Sequence, residues 1–314
     1  EGRLKDAVTD LKIFDESYYE EPADAYIKIT EEGYEVVDED YGYEPIEDKV
    51  IGEIRSAVDS ASEEVRLSDE CYKTPDIYST SDIIVSTSEK LDNYLLSSVR
   101  YLVEDNETVL EKGEILKLLN IDLESGDVSI NDDALNEYVY QLARKYNTFG
   151  RIRNFKTRLG DEIKIGGGDY GWVVSKANEA KKLKEDLVSK EHIEREPVYE
   201  QTALYRGEDD IGDTYIEIDF SNQHLYYVKE GESVYDTDVV TGNINKGNGS
   251  PDGVYKIVYK KSPATLVGED YSSDVTYFMP FAYNVGIHDA SWRSKFGGEI
   301  YKEKTSLYSK KCHC

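Results

Sequence analysis

One short motif occurs twice in this 314-residue chain, and the repetition restricts the possible folds more than any other feature. The pattern Asp-Tyr-Gly-aromatic at residues 40–43 returns at residues 169–172, an offset of 129. A strand-like run follows each copy, beginning at Val65 in the first and at Ile193 in the second, an offset of 128. Because the offset is nearly constant, we predict an internal duplication of strand, turn, helix and strand.

Each copy carries the local signals of those elements. Strand-like alternation covers residues 25–29 and 34–37 before the first motif and 162–165 before the second. Apolar residues then recur at helical spacing, which predicts one amphipathic helix in each copy. These residues are Ile46, Val50, Ile54 and Val58 in the first copy, and Ala180, Leu183 and Leu187 in the second. The motif glycine is expected to have a positive φ, and the aromatic residue to pack under the helix.

The segment between the copies adds two helices and two strands. Helices are predicted over 86–98 and 131–146, the second capped by Asn131, with strands over 99–110 and 128–130. Residues 25–199 therefore form an α+β region with an internal duplication. Residues 1–24 are interpreted as a connector and the polar, glycine-punctuated segment 200–213 as a linker.

Strands dominate after the linker. They are predicted over residues 215–219, 224–229, 233–240, 253–259 and 275–279. Gly231 marks a hairpin turn between the second and third of these strands. Residues 214–314 are thus predicted to form a mainly antiparallel β domain without a long helix, and the whole chain is α+β.

A candidate reactive residue lies in the stretch 284–298, N-V-G-I-H-D-A-S-W-R-S-K-F-G-G. Val285 and Ile287 flank Gly286 and predict a short buried strand that presents His288, followed by a loop closed by glycines. Histidine exchanges protons near neutral pH, so it suits acid–base chemistry. These residues alone leave open that His288 is a structural histidine.

Four motifs lie upstream of this stretch and, taken with it, indicate a known family. The series comprises D-F-S-N-Q-H-L-Y-Y-V at 219–228, V-V-T-G-N at 239–243, S-P-D-G-V-Y at 250–255 and Y-F-M-P-F at 277–281. Together with G-I-H-D-A-S-W-R-S-K-F-G-G, it resembles the catalytic domain of L,D-transpeptidases from about Thr214 to about Lys302. These cysteine enzymes cross-link bacterial peptidoglycan, so the resemblance implies a β-rich fold and acyl transfer between stem peptides without a cofactor or a metal.

The resemblance also implies roles for individual residues. His288 matches the family's base, and the backbone carbonyl of Asp289 would orient its imidazole. The substrate groove would be lined by Tyr277, Met279, Phe281, Gly286 and Trp292.

The nucleophile departs from the family pattern. The family ends in Ser/Thr-His-Gly-Cys, but the corresponding window at 306–309 reads S-L-Y-S, followed by Cys312-His313-Cys314. Three explanations stay open: the terminus is altered by a frameshift or assembly error, the nucleophile is displaced to Cys312 or Cys314, or the domain only binds. Three adjacent residues lack the ligand spacing of a zinc site.

The region before the linker has its own resemblance. Residues from Ile130 to Tyr199 resemble the peptidoglycan-binding domain that precedes some L,D-transpeptidase domains, and the first copy resembles it more loosely. The sequence therefore predicts an enzyme that forms 3→3 cross-links between peptidoglycan stem peptides. The alternative is a non-catalytic cell-wall protein that binds peptidoglycan on the same scaffold.

Charge and composition limit partners and location. The net charge is −28, which disfavours nucleic acid. Residues from Arg206 onward hold 12 Lys and Arg against 17 Asp and Glu, or −5, and the rest hold 25 against 48, or −23. No apolar run is long enough for a membrane span, so membrane attachment would need an anchor ahead of Glu1. We expect a location at the cell wall, on the extracellular face of the bacterial envelope, either secreted or anchored at the N-terminus.

Overall fold

The structure is a computed structural model that describes residues 2–268, 271–283 and 285–302. The chain divides into two compact units. The first comprises 1–102, 107–138 and 180–196, and the second comprises 103–106, 139–179 and 197–314. The linker at 200–213 and the domain bounds on either side of it stay a prediction.

Helices and strands are mixed along the described residues, which confirms the α+β class. The helices are α1 (Gly2–Thr9), α2 (Glu47–Asp59), α3 (Asp82–Leu95), α4 (Lys112–Leu116), α5 (Asp132–Tyr146) and α6 (Lys176–Leu187). The strands are β1 (Tyr26–Ile29), β2 (Tyr34–Val37), β3 (Ser98–Val103), β4 (Asn106–Leu110), β5 (Leu119–Asp122), β6 (Asp127–Ile130), β7 (Arg153–Lys156), β8 (Glu162–Ile165), β9 (Val173–Val174), β10 (His192–Arg195), β11 (Tyr199–Gln201), β12 (Tyr215–Asp219), β13 (His224–Lys229), β14 (Glu232–Asp238), β15 (Ala264–Gly268), β16 (Tyr271–Val275), β17 (Phe278–Ala282) and β18 (Val285–His288).

Most strands pair with a neighbour in sequence. Antiparallel pairs join β1 to β2, β5 to β6, β7 to β8, β15 to β16 and β17 to β18. A three-stranded antiparallel sheet has the order β12-β13-β14. The described residues contain a parallel pair between β10 and β3, in a sheet of order β10-β3-β4. The mainly antiparallel character predicted for the C-terminal region is confirmed.

The two copies of the repeated motif share a hairpin, a turn and a helix. Each begins with an antiparallel hairpin, β1–β2 or β7–β8, and each motif glycine has a positive φ, +55° at Gly42 and +136° at Gly171. After the motif, Pro45 pairs with Tyr72 in the first copy and Val174 with Tyr199 in the second. Helices α2 and α6 follow at the same offset. The duplication is therefore visible in the backbone pairing around both motifs, although the final strand is present only in the second copy.

The predicted packing of the motif's aromatic residue is wrong in the first copy. Tyr43 is 49 % exposed and so does not pack under α2. Its counterpart Trp172 packs edge-on against Tyr199, with ring centroids 5.0 Å apart, and its indole N–H donates to the carbonyl of Tyr205. The aromatic position thus keeps its place in the chain while its contacts differ between the copies.

Several element bounds differ from the sequence expectations. The first copy has no strand at 65–67, and the single strand expected over 99–110 is two strands, β3 and β4. The segment expected as a strand over 253–259 contributes only an isolated bridge at Val254, and the expected strand 275–279 is divided between β16 and β17. The connector contains α1, whose Val8 is buried with Val50, Ile51 and Cys71.

In the second unit, a glycine-rich loop packs directly on the segment that follows the S-P-D-G motif. Gly168 forms a parallel bridge with Val254, the N–H of Val254 donates to Gly167, and the N–H of Tyr170 donates to the carbonyl of Val254. A side chain at position 168 would overlap the backbone of Val254. The second repeat motif is therefore held against the β-rich part of its own unit.

Candidate active site

His288 is the last residue of β18, in the hairpin formed by β17 and β18. Phe278 lies opposite His288, and Pro280 lies opposite Gly286. A Cβ on Gly286 would stand 2.9 Å from the carbonyl oxygen of Met279 and would also meet the ring of Phe278. Glycine at this position therefore allows β17 to approach closely, and the hairpin brings His288 to the strand end, as the sequence predicted.

A backbone contact sets the tautomer of His288. Its Nδ1 lies 2.9 Å from the carbonyl oxygen of Asp289. A carbonyl oxygen can only accept a hydrogen bond, so Nδ1 must carry the proton. In the neutral ring, Nε2 is then the nitrogen that can take a proton from a nucleophile.

The side chain of Asp289 is engaged with the preceding strand. Its Oδ1 accepts a hydrogen bond of 2.7 Å from the backbone N–H of Tyr277. Burial acts to raise the pKa of Asp289, but donation from the N–H groups of Tyr277 and Thr276 outweighs it, and the pKa lies below the usual value. The residue therefore stays ionised and fixes the strand end beside His288.

Trp292 lies next to the imidazole. Its ring centroid is 5.9 Å from that of His288, with the planes inclined by 34°. A turn in which the N–H of Arg293 donates to the carbonyl of Ala290 holds this part of the loop. The indole therefore limits the positions that the imidazole can take.

His288 and Asp289 line a cleft with a volume of about 760 Å³ in the second unit. Its walls are largely apolar and aromatic, with a small set of charged groups. The apolar and aromatic lining includes Tyr215, Ile216, Ile218, Leu225, Tyr227, Tyr235, Val240, Ile257, Tyr277, Met279, Ile287 and Phe296. The charged lining comprises Asp238, Lys260, Asp289 and Arg293, and His288 adds an imidazole. A largely apolar cleft with a few convergent polar groups is typical of a substrate site.

The structure brings part of the predicted site together. Tyr277 and Met279 line the cleft with His288 and Asp289. Phe281 is buried and packs edge-on against Tyr255, at 5.4 Å between centroids, and it is not among the residues that line the cleft. Gly286 shapes the hairpin, and Trp292 contacts the imidazole. The nucleophile candidates Cys312 and Cys314, and the window 306–309, lie outside the described residues.

Among the charged residues of the cleft, the sequence analysis missed Asp238, Lys260 and Arg293. Lys260 comes from the loop before β15, and Arg293 comes from the loop after His288. Lys260 has no local signal, because only the fold brings it to the cleft. Arg293 lies within the motif stretch, and its position five residues after the histidine was the available signal.

Comparison with known families gives two matches along the chain. Residues 213–307 match the family model described as the L,D-transpeptidase catalytic domain, YkuD. Residues 84–194 match the model described as "Putative peptidoglycan binding domain". No curated protein sequence matches the chain significantly.

Solved structures decide the family. The chain is similar to a crystal structure of an L,D-transpeptidase from Enterococcus faecium, a cysteine-to-serine mutant, with 30% identity and a TM-score of 0.52. The match covers 69% of this chain and 87% of that protein. This chain belongs to the L,D-transpeptidase family. The Ldtfm–avibactam carbamoyl enzyme is also similar, with 29% identity and a TM-score of 0.53 over 71% of this chain and 88% of that one.

Membership of the L,D-transpeptidase family relates the geometry around His288 to a class of reaction. L,D-transpeptidases are acyltransferases, and a positioned base such as His288 suits the proton transfers of acyl transfer. No helix within the described ranges is both long enough and apolar enough to cross a membrane.

Proposed function

We propose that this L,D-transpeptidase forms 3→3 cross-links between peptidoglycan stem peptides by cysteine acyl transfer, with His288 as the base. The observation that carries the proposal is the contact between Nδ1 of His288 and the carbonyl of Asp289, inside a cleft of substrate size. This contact makes Nε2 the proton acceptor before any substrate binds.

The chemistry follows from that starting state. Nε2 of His288 takes the thiol proton, and the thiolate attacks the carbonyl between the third stem residue and the terminal D-alanine. When the tetrahedral intermediate collapses, the carbon–nitrogen bond breaks and the imidazolium gives its proton to the departing amine. The amine of a neighbouring stem then attacks the thioester, loses a proton to His288 and releases the thiol.

The position of the nucleophile is the discriminating feature. In this chain the window at 306–309 is S-L-Y-S, which has no cysteine, and Cys312 and Cys314 follow. A non-catalytic wall protein on the same scaffold is the second candidate, and the missing cysteine in this window favours it.

The proposal also assigns a role to each region of the chain. Residues 25–199 would bind peptidoglycan, 200–213 would link the domains, and 214–314 would carry the reaction. The match of residues 84–194 to a peptidoglycan-binding family model supports the first assignment. The protein would act at the extracellular face of the envelope, on stem peptides.

Acylation by a carbapenem tests the function, because such a β-lactam traps a reactive cysteine as a stable acyl-enzyme. The substitutions Leu307→His, Tyr308→Gly and Ser309→Cys, combined in one variant, restore the family motif; we name it the restored variant. We expect a mass increase of one carbapenem on the restored variant and none on the unchanged chain. Absence of an adduct on a folded restored variant would refute the enzymatic proposal. An adduct on the unchanged chain, mapped to Cys312 or Cys314, would show that the nucleophile is relocated.

A further inference from the structure

Arg293 lines the cleft beside His288, and its charge has no partner there. Its Nε is buried and has no hydrogen-bond partner among the described residues. Across those same residues, its guanidinium forms no ion pair. Arg293 is half-buried as a whole, and a buried N–H without an acceptor is costly, so an anion that enters the cleft would be stabilised at this position.

The two carboxylates of the cleft are engaged elsewhere. Asp238 lies 2.8 Å from Nδ1 of His224, and Asp289 accepts the N–H of Tyr277. Neither lies within ion-pair distance of Arg293. The anion that complements Arg293 would therefore be supplied by a ligand.

A turn fixes the backbone of the segment that joins His288 to Arg293. The N–H of Arg293 donates to the carbonyl of Ala290 across 2.9 Å, which closes a turn directly after Asp289. His288, Trp292 and Arg293 are thereby parts of one short segment. A group bound by Arg293 would lie in the same cleft as the proton acceptor.

A guanidinium matches the geometry of a carboxylate, since its planar N–H groups can donate in parallel to both oxygens. The donor stem of the proposed reaction ends in the carboxylate of D-alanine. Only the amide nitrogen and one α-carbon separate this carboxylate from the carbonyl that the thiolate attacks. A cation that holds the carboxylate must therefore lie close to the base.

We propose that Arg293 binds the terminal carboxylate of the donor stem peptide and thereby selects stems that end in a free D-alanine. The inference rests on the proposed function, because it names the substrate group that the same cleft recognises. Arg293 is a specificity residue in this role, while His288 moves the proton.

Binding of two synthetic peptides to the intact chain tests this inference. The first is a tetrapeptide stem that ends in D-alanine with a free carboxylate, and the second is the same peptide as its C-terminal amide. Titration calorimetry measures both dissociation constants, and no reaction is needed. Loss of a hydrogen-bonded charged partner predicts that the unchanged chain binds the acid at least about tenfold more tightly than the amide.

Three variants separate the carboxylate contact from other effects. Arg293→Gln should weaken binding of the acid to the level of the amide and leave binding of the amide unchanged. Arg293→Lys should keep part of the preference, because it retains the charge without the planar fork. Lys295→Gln removes the same charge from an exposed position of the same loop, outside the cleft lining, and should keep the full preference.

The outcomes are distinct. If Arg293→Gln still prefers the acid as strongly as the unchanged chain, the inference is wrong while the proposed function stands. If Lys295→Gln also loses the preference, the effect is one of general charge and the inference is again wrong. If neither peptide binds the unchanged chain, the inference and the proposed function both fall.

Discussion

The imidazole of His288 donates from Nδ1 to the backbone carbonyl of Asp289, its neighbour in the chain, across 2.9 Å. Many catalytic histidines are oriented by a carboxylate, but here the acceptor is a main-chain group. A side-chain substitution at Asp289 therefore leaves the acceptor in place. The orientation of the base depends on the backbone path at the end of β18, which Gly286 and the opposite strand β17 determine.

The first prediction concerns His288 in the restored variant. His288→Ala should slow acylation by a carbapenem by about 10²- to 10⁴-fold, the usual contribution of a general base. The defect should shrink as the pH rises toward about 8.5, where a free thiol ionises without help. Intact-mass time courses measure both effects. Equal rates for the two proteins at neutral pH would show that His288 is a structural histidine.

The second prediction separates the backbone acceptor from the Asp289 side chain. In the restored variant, Asp289→Asn should retain most of the acylation rate, because the carbonyl that accepts from Nδ1 remains. The matched comparison is His288→Ala, measured under the same conditions. A loss from Asp289→Asn as large as that from His288→Ala would mean that the carboxylate itself takes part in the reaction.

The local parts of this architecture could be predicted from the sequence. The bounds of β12 and β13 were predicted residue for residue, and Gly231 was predicted as the turn between β13 and β14, since strand and turn signals are local in sequence. The position of His288 at a strand end was predictable for the same reason. The cap of α5 is also local: the side chain of Asn131 accepts from the N–H of Ala134.

The non-local parts could not be predicted. The run at 65–67 has strand residues, but a strand requires a partner, and none pairs with it in the described chain. Segment 253–259 meets a partner only at Val254, which pairs with Gly168 from a distant loop. In the site, the presence of Lys260 and the unpaired charge of Arg293 depend on which segments converge on the cleft, and no short pattern encodes that.

The third prediction uses a titrating cluster on β13 and β14. The two ring nitrogens of His224 contact Asp238 at 2.8 Å and Asp236 at 2.9 Å. The hydrogen bond to Asp238 makes the larger contribution and that to Asp236 the smaller one, and together they raise the pKa of His224 above its usual value. A raised pKa stabilises the fold below the unfolded value of about 6.5, and this stabilisation is lost as the pH rises through the folded value.

The variant His224→Gln removes that dependence. The Tm of the unchanged chain should exceed that of His224→Gln at about pH 5.5, and the difference should be smaller at about pH 9. Thermal unfolding followed by circular dichroism at both values measures it. A difference that grows with pH would contradict the assigned contacts.

The fourth prediction concerns a buried ion pair in the second unit. Nε of Arg153 donates to Asp210 across 2.6 Å and Nη2 across 2.9 Å, and both side chains are almost fully buried. Asp210→Asn leaves the guanidinium without its counter-charge and should lower the free energy of unfolding by about 3–5 kcal/mol. Replacing both residues, as Arg153→Met with Asp210→Leu, should recover much of that loss. Denaturant titration compares the three proteins, and a double variant less stable than Asp210→Asn would be the contrary result.

The last prediction tests how the second repeat motif is held in its unit, and two adjacent glycines provide a matched pair. Gly167 and Gly168 have nearly the same positive φ, +82° and +81°, so alanine is strained by a similar amount at either position. Their surroundings differ: a Cβ at Gly167 meets nothing within 4 Å, whereas a Cβ at Gly168 overlaps the carbonyl of Val254.

Gly167→Ala should therefore cost only the backbone strain, about 1–3 kcal/mol. Gly168→Ala should cost more, because the bridge to Val254 must open, and the amide of Tyr170 that donates to Val254 should then exchange with solvent faster. Hydrogen exchange followed by mass spectrometry measures the exchange rate of that amide in both variants. Equal exchange in the two proteins would mean that the loop is held by contacts other than the approach of Gly168 to Val254.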